Sequence, residues 1–138
     1  MTPTQRTPFR FTIPVRTVSE ANQRDHWAKK AKRVKEQRGL SAILTVIALE
    51  NINFTRKHKW CIALTRVSPG TLDDDNLRSS MKAVRDGIAD AFGWDDRDPR
   101  LVWQYDQRHE GREYWVEVEI RSAIRPPLIL KGVGDGDD

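Results

Sequence analysis

Leu72-Asp73-Asp74-Asp75-Asn76-Leu77 places three carboxylates where a loop gives way to a helical pattern. Side chains at i and i+2 of an extended segment point the same way, so Asp73 and Asp75 can converge. Carboxylate oxygens are the hard ligands magnesium prefers, and a site built from one or two of them leaves positions for water and a substrate phosphate. A second acidic cluster, Trp94-Asp95-Asp96-Arg97-Asp98-Pro99, follows that helix. Phosphodiester hydrolysis commonly gathers several carboxylates around metal ions, which makes the pair of clusters more informative than either alone. Lys82, between them, is suited to neutralising charge that grows on a phosphate. Each feature also has a commoner use. Asp75 can serve as an N-cap with its neighbours favouring the helix dipole. Asp95 to Pro99 can be a polar turn. Lys82 can pair with Asp86 at i,i+4 for a few tenths of a kcal/mol. A DxD element also occurs in nucleotide-sugar transferases, but those need a nucleotide-binding domain for which 138 residues leave little room.

The elements that must position these groups follow from periodicity. Phe9, Phe11, Ile13 and Val15 alternate with polar residues, which predicts a strand that Pro14 confines to a sheet edge. Residues 16–26 read as a loop. Trp27, Ala31, Val34, Leu40, Ile43, Leu44 and Ile47 recur at helical spacing, with Gly39 placed to interrupt or bend that helix. Residues 59–67, apolar on both faces, predict a central strand. From Asp75 a second helix carries Leu77, Met81, Val84, Ile88 and Phe92 as one stripe, and Gly93 is placed to end it. Leu101, Trp103 and Tyr105, a turn at His109 to Arg112, then Tyr114, Val116, Val118 and Ile120 predict a hairpin. The fold class expected is a small α+β domain, a mixed β-sheet in β-α-β-α-β-β order with two helices.

Length predicts a single domain over 1–138, with a core at about 9–121 and flexible ends at 1–8 and 125–138. The net charge of +4 favours polyanionic partners. Cys61 is the sole cysteine, so no internal disulfide forms and no Cys/His cluster offers zinc. No apolar run is long enough to cross a bilayer, and no secretory leader is seen. A soluble, cytoplasmic protein with no membrane partner is expected.

The combination of Asp73-Asp74-Asp75-Asn76-Leu77, a helix containing Lys82-Ala83-Val84-Arg85-Asp86-Gly87-Ile88-Ala89-Asp90, and Trp94-Asp95-Asp96 running on through Asp98-Pro99-Arg100-Leu101 resembles the RusA family of Holliday junction resolvases. The resemblance extends over roughly residues 9–121 in the order of elements. It implies a RusA-like fold in an intertwined or closely packed homodimer. It also implies a magnesium-dependent enzyme, with manganese as a substitute, that cuts opposed strands of a four-way DNA junction and is typical of prophages and their hosts. On that basis Asp73, Asp75 and Asp96 look like catalytic aspartates, and Asp95 is an additional or alternative metal ligand. Asp74 stands where the family often has an apolar residue. The family's early helix lysine falls at Ser79 here, so Lys82 is the candidate.

A straight helix over residues 77–91 would hold the two clusters roughly 20–25 Å apart. Either the chain folds back after Gly93, or two subunits pack these helices antiparallel. The dimer is favoured, since a two-fold axis also supplies two sites for two cuts. Lys29, Lys30, Lys32, Arg33, Lys35 and Arg38 crowd one helical stretch, and Arg78, Lys82 and Arg85 share one side of the next. Both can bind phosphates by displacing counterions, although either can be a solvated face. Trp27, Trp94 and Trp115 could stack on unpaired bases, with core packing the commoner role. His26 could contact phosphate; His58 and His109 receive no catalytic role. The expected function is magnesium-dependent, structure-specific cleavage of Holliday junctions in recombination and repair. The alternatives are a non-catalytic DNA-binding or architectural phage protein, and an interaction module whose charges only solvate it.

Overall fold

The computed structural model describes residues 8–19 and 27–123. The ends expected to be flexible fall outside the described residues except for Pro8, as do His26 and residues 20–26 of the expected loop. The elements are β1 (Phe9–Ile13), α1 (Trp27–Leu49), β2 (Trp60–Ser68), α2 (Asp74–Ser80), α3 (Lys82–Phe92), β3 (Leu101–His109) and β4 (Trp115–Ser122). They form an α+β unit with a four-stranded mixed sheet in the order β1-β4-β2-β3.

β1 is an edge strand, as Pro14 predicts, and its pairing with β4 stops at Ile13, one residue short of that proline. β2 is central, antiparallel to β4 and parallel to β3. Trp60, Ile62 and Leu64 of β2 meet Val116, Val118 and Ile120 of β4 in the buried layer beneath the helices.

The hairpin expected of β3 and β4 does not form, because β2 lies between them. Residues 110–114, a link of hairpin length, instead pass over the end of β2. Two strand spacings amount to about 10 Å, which five residues span easily. Glu110 N donates to Ser68 O at 3.0 Å on the way. A strand with apolar groups on both faces gains most from the centre of a sheet, where both its edges are paired.

The second expected helix is two. α2 ends at Ser80 and α3 begins at Lys82, with Met81 between them at φ −108° and ψ 8°. Ser79 Oγ donates to Asn76 O (3.2 Å) and Ser80 Oγ to Leu77 O (2.7 Å), so two adjacent serines compete for the carbonyls that a continuous helix would use. The apolar stripe survives the break: Leu77, Met81, Val84, Ile88 and Phe92 are all buried. Gly93 ends α3 in the left-handed region at φ 79°, its N–H bonded to Ala89 O and Asp90 O.

α1 runs through Gly39 without a break, and open space surrounds that glycine. The expected apolar stripe is buried only in part: Leu40 and Leu44 pack against the core and Val34 is half-buried. Gln37, Ser41, Thr45 and Ala48 face inward, whereas Trp27, Ile43 and Ile47 are 75%, 60% and 51% exposed. The reason is close helix packing. A Cβ at Gly87 of α3 would overlap Arg38 O and come within 2.8 Å of Ser41 Cβ, so small residues must line the seam on both sides. No helix among the described residues is long and apolar enough to cross a membrane.

Gly87→Ala sets two effects against each other. Alanine is the better helix former by about 1 kcal/mol, but overpacking costs about 1–3 kcal/mol and here the clash is with a backbone carbonyl that cannot swing away. A net loss of up to about 2 kcal/mol is expected in urea unfolding, and a raised midpoint would show that α1 and α3 have room to spare.

Candidate metal and phosphate site

The first acidic segment is pinned from below by the ends of β2 and β3. Gly70 O accepts from Ser68 Oγ (2.6 Å) and from Arg66 Nη1 (3.2 Å). The Gln107 side chain brackets Leu72, accepting from its N–H at 3.0 Å and donating to its carbonyl at 2.6 Å, as a neighbouring strand would. Asp73 therefore enters α2 in a fixed pose and is itself the N-cap, where the sequence suggested Asp75 for that role. Asp73 Oδ1 accepts from Asn76 N at 2.9 Å and Oδ2 from Asn76 Nδ2 at 3.2 Å, while Asn76 Oδ1 accepts from Ser19 Oγ at 2.8 Å. Asp74 and Asp75 lie in the first turn, exposed, with no hydrogen bond or ion pair to a described residue.

The second segment folds back. After Gly93 the chain turns tightly, with Trp94 N bonded to Ala89 O and Asp98 N to Asp95 O. Asp96 thereby reaches the first two turns of α3. Its Oδ2 accepts from Arg85 Nε at 2.8 Å and Lys82 Nζ at 3.1 Å, and its carbonyl accepts from Arg85 Nη2 at 3.0 Å and Trp103 Nε1 at 2.8 Å. Arg85 Nη1 donates to Tyr105 Oη at 2.8 Å. The chain therefore does fold back after Gly93, onto the start of α3. The same strand thus anchors both segments, through Trp103 and Tyr105 for Asp96 and through Gln107 for Leu72. Trp103 and Gln107 stand about 13 Å apart along β3, so the two segments are anchored at separate points of one strand.

Lys82 also donates to Asp86 Oδ1 at 2.8 Å, so the local i,i+4 pair and the longer link to Asp96 coexist. Burial works against the Lys82 charge, but hydrogen bonds to Asp86 and Asp96 outweigh it and hold the ammonium above the usual lysine range. It is a fixed cation at neutral pH and not a base. Arg38 grips Asp90 through two bonds of 2.7 and 2.9 Å, which keeps the Asp90 carboxyl below its usual range. Asp95 is lowered by the Arg97 N–H and guanidinium, and Asp98 falls to about 2 under the Arg100 guanidinium. A polar cleft of about 260 Å³ opens among Arg38, Lys82, Asp86, Asp90, Asp95 and Asp96.

Among the described residues no three carboxylates, histidines or cysteines converge tightly enough to hold an ion by themselves. The donors nevertheless suit magnesium, a hard cation that usually takes one or two protein carboxylates and fills the rest with water and substrate phosphate. Asp75 and Asp74 have free oxygens. Asp73 has both oxygens committed to Asn76, and Asp96 has Oδ2 committed to two cations, leaving Oδ1.

Of the basic residues, Lys29, Lys30, Lys32 and Lys35 are exposed on α1 and Arg33 is half-buried. Arg78 is exposed with its guanidinium 5.6 Å from the Tyr105 ring. Arg85 is half-buried and held by Asp96, so it orders the site more than it offers a free charge. Trp94 and Trp115 are half-buried, Trp94 stacked on Phe92 and covered by Arg100. His58 packs against Trp60, and His109 is exposed at the end of β3. Sequence reasoning passed over Arg66, Tyr105 and Gln107. The signal for Arg66 was present, since alternation from Trp60, Ile62 and Leu64 puts an arginine on the buried register of β2.

No family model matches the sequence. An uncharacterized protein of Xylella fastidiosa (strain Temecula1 / ATCC 700964) is 34% identical over 115 residues, covering 81% of this chain and 68% of that protein. The chain belongs to the same family as that protein.

The two ends of the Asp73–Asp75 run are expected to behave differently in urea unfolding without metal. Asp73→Ala removes a cap and should lose about 0.5–2 kcal/mol, whereas Asp75→Ala should stay within about 0.5 kcal/mol of the parent. Equal losses would mean that Asp75 shares the structural duty.

Proposed function

We propose that this protein is a magnesium-dependent, structure-specific endodeoxyribonuclease that resolves four-way DNA junctions by paired phosphodiester hydrolysis in recombination and repair. The observation that carries the reading is Asp75. It is an exposed carboxylate with no described partner, at a helix start held rigidly by Gln107 and Asn76, on the strand that also anchors Asp96 and its cations. Asp73, by contrast, has both oxygens engaged by Asn76.

Asp75 would hold the metal, with Asp73 joining by releasing Asn76, while Asp96 through Oδ1 and Asp95 would offer a second position at the other end of the β3 anchors. Bound there, magnesium would supply Lewis-acid polarisation of the phosphodiester and a more acidic water. The chain's own residues do the rest. Lys82 presents a protonated ammonium toward the Asp96 side, where it can balance charge on a phosphate oxygen. Arg85 holds the Asp96 carboxylate and backbone in one orientation through Nε and Nη2, which limits the rearrangement needed on binding. Lys29, Lys30, Lys32 and Lys35 are exposed around the first turns of α1, where they can contact a DNA backbone, with Arg78 beside the acidic segment. Two such sites in a homodimer would serve two opposed cuts, since a two-fold axis repeats every group.

A second reading has one observation in its favour. Asp96 is already neutralised by Lys82 and Arg85, as it would be in a non-catalytic DNA-binding protein that uses these charges for folding alone. A synthetic four-way junction decides between them. Cutting is expected with magnesium or manganese and not with EDTA. Asp75→Asn should slow it by more than about a hundredfold, the several kcal/mol a metal site supplies, with junction affinity retained. Junctions that are bound in a salt-sensitive way yet stay whole in magnesium would select the non-catalytic reading.

A further inference from the structure

Trp60, Ile62, Leu64 and Arg66 share the buried face of β2, so the fourth position of an apolar register is a guanidinium, and it is only 5% exposed. Its partners are neutral. Nε donates to Thr17 Oγ1 at 2.8 Å, Nη2 to Thr17 O at 3.4 Å and Nη1 to Gly70 O at 3.2 Å, and the Tyr114 ring lies 5.8 Å from Cζ. No carboxylate among the described residues pairs with it. Burial lowers its pKa from the ordinary arginine range, yet an arginine remains charged in a protein.

A buried cation that meets only neutral partners among the described residues is unfavourable, and packing alone would be served better by an apolar side chain. The planar fork does something an apolar chain cannot, which is to grip two separate stretches of chain at once. Both stretches lead to the same place. Thr17 stands just before Ser19, whose hydroxyl fixes Asn76, and Asn76 in turn takes both oxygens of Asp73. Gly70 opens the turn whose far end, Leu72, is bracketed by Gln107.

We infer that Arg66 is a positioning residue that sets the pose of the Asp73–Asp75 carboxylates by clamping Thr17 to Gly70. The inference rests on the nuclease reading for what those carboxylates do, and its own content is that the clamp governs how well they hold a divalent ion.

The test uses the full chain with Arg66→Lys, which keeps the charge but loses the fork, and Thr17→Val, which keeps the shape but removes the acceptor hydroxyl. Far-UV circular dichroism and thermal unfolding give the folded fraction. Free Mn2+ is then counted by electron paramagnetic resonance, and single-turnover junction cutting is followed in parallel. For the folded protein, Arg66→Lys should weaken Mn2+ binding about 10-fold or more, the size of effect seen when partners behind metal ligands are removed. Junction affinity in EDTA should be unchanged, and Thr17→Val should shift Mn2+ binding in the same direction. Unchanged Mn2+ affinity of the folded fraction, however much the melting temperature falls, overturns the inference and leaves Arg66 a structural brace. Parent protein that binds Mn2+ but leaves junctions whole sinks the nuclease reading alone, and the Mn2+ comparison still decides on Arg66. Parent protein that binds no Mn2+ overturns both.

Discussion

Parallel pairing of β3 with β2, in register from Trp60 and Leu101 to Ser68 and His109, obliges the chain to cross from one end of the sheet to the other between these strands. Both acidic segments and the cations that face Asp96 lie on that crossing. It leaves the carboxyl end of β2 through Gly70, carries Asp73 to Asp75 into α2, passes Lys82 and Arg85 on α3, and returns through Asp96 to the start of β3. Because β3 closes the loop, its inward side chains touch both ends of it. Gln107 holds the outgoing segment, and Trp103 and Tyr105 hold the returning one.

Electrostatics divide the aspartates along this crossing into two groups. Asp73, Asp86, Asp90, Asp95, Asp96 and Asp98 each accept from a named donor, and these bonds shape turns, caps and the α1–α3 seam. Asp74 and Asp75 have no such duty. Two free carboxylates at one helix start repel each other and gain little beyond the helix dipole, so their neighbourhood suits a cation from solution. The cations Lys82 and Arg85 sit at the opposite end of the Trp103–Gln107 span, an order of charge that can take a metal at one end and a phosphate at the other.

Much of this architecture was legible in the sequence, and the failures have physical causes. β1 as an edge strand, β2 as a centre, the buried stripe from Leu77 to Phe92 and the Gly93 terminator all follow from residue type and period. The β3–β4 hairpin was misread because a short link and two alternating strands look the same whether or not a third strand lies between them. The break at Met81 was hidden by an intact apolar stripe, and only the adjacent Ser79 and Ser80 hinted at competition for helix carbonyls. The inward face of α1 was read only in part, through Leu40 and Leu44, because a seam against Gly87 favours Ser41, Thr45 and Ala48, and periodicity of large apolar residues cannot register a preference for small ones. In the site, the carboxylates announced themselves by spacing. Which of them was free did not, because that depends on where Asn76, Arg85 and Lys82 point.

The central claim is that the free carboxylate at the start of α2, together with the returning Asp96 segment, takes a divalent cation. Anomalous diffraction from a crystal soaked in manganese tests it most directly. The account predicts a peak within coordination distance of an Asp75 carboxylate oxygen, with or without a second near Asp96. A map with no peak at either aspartate would contradict it.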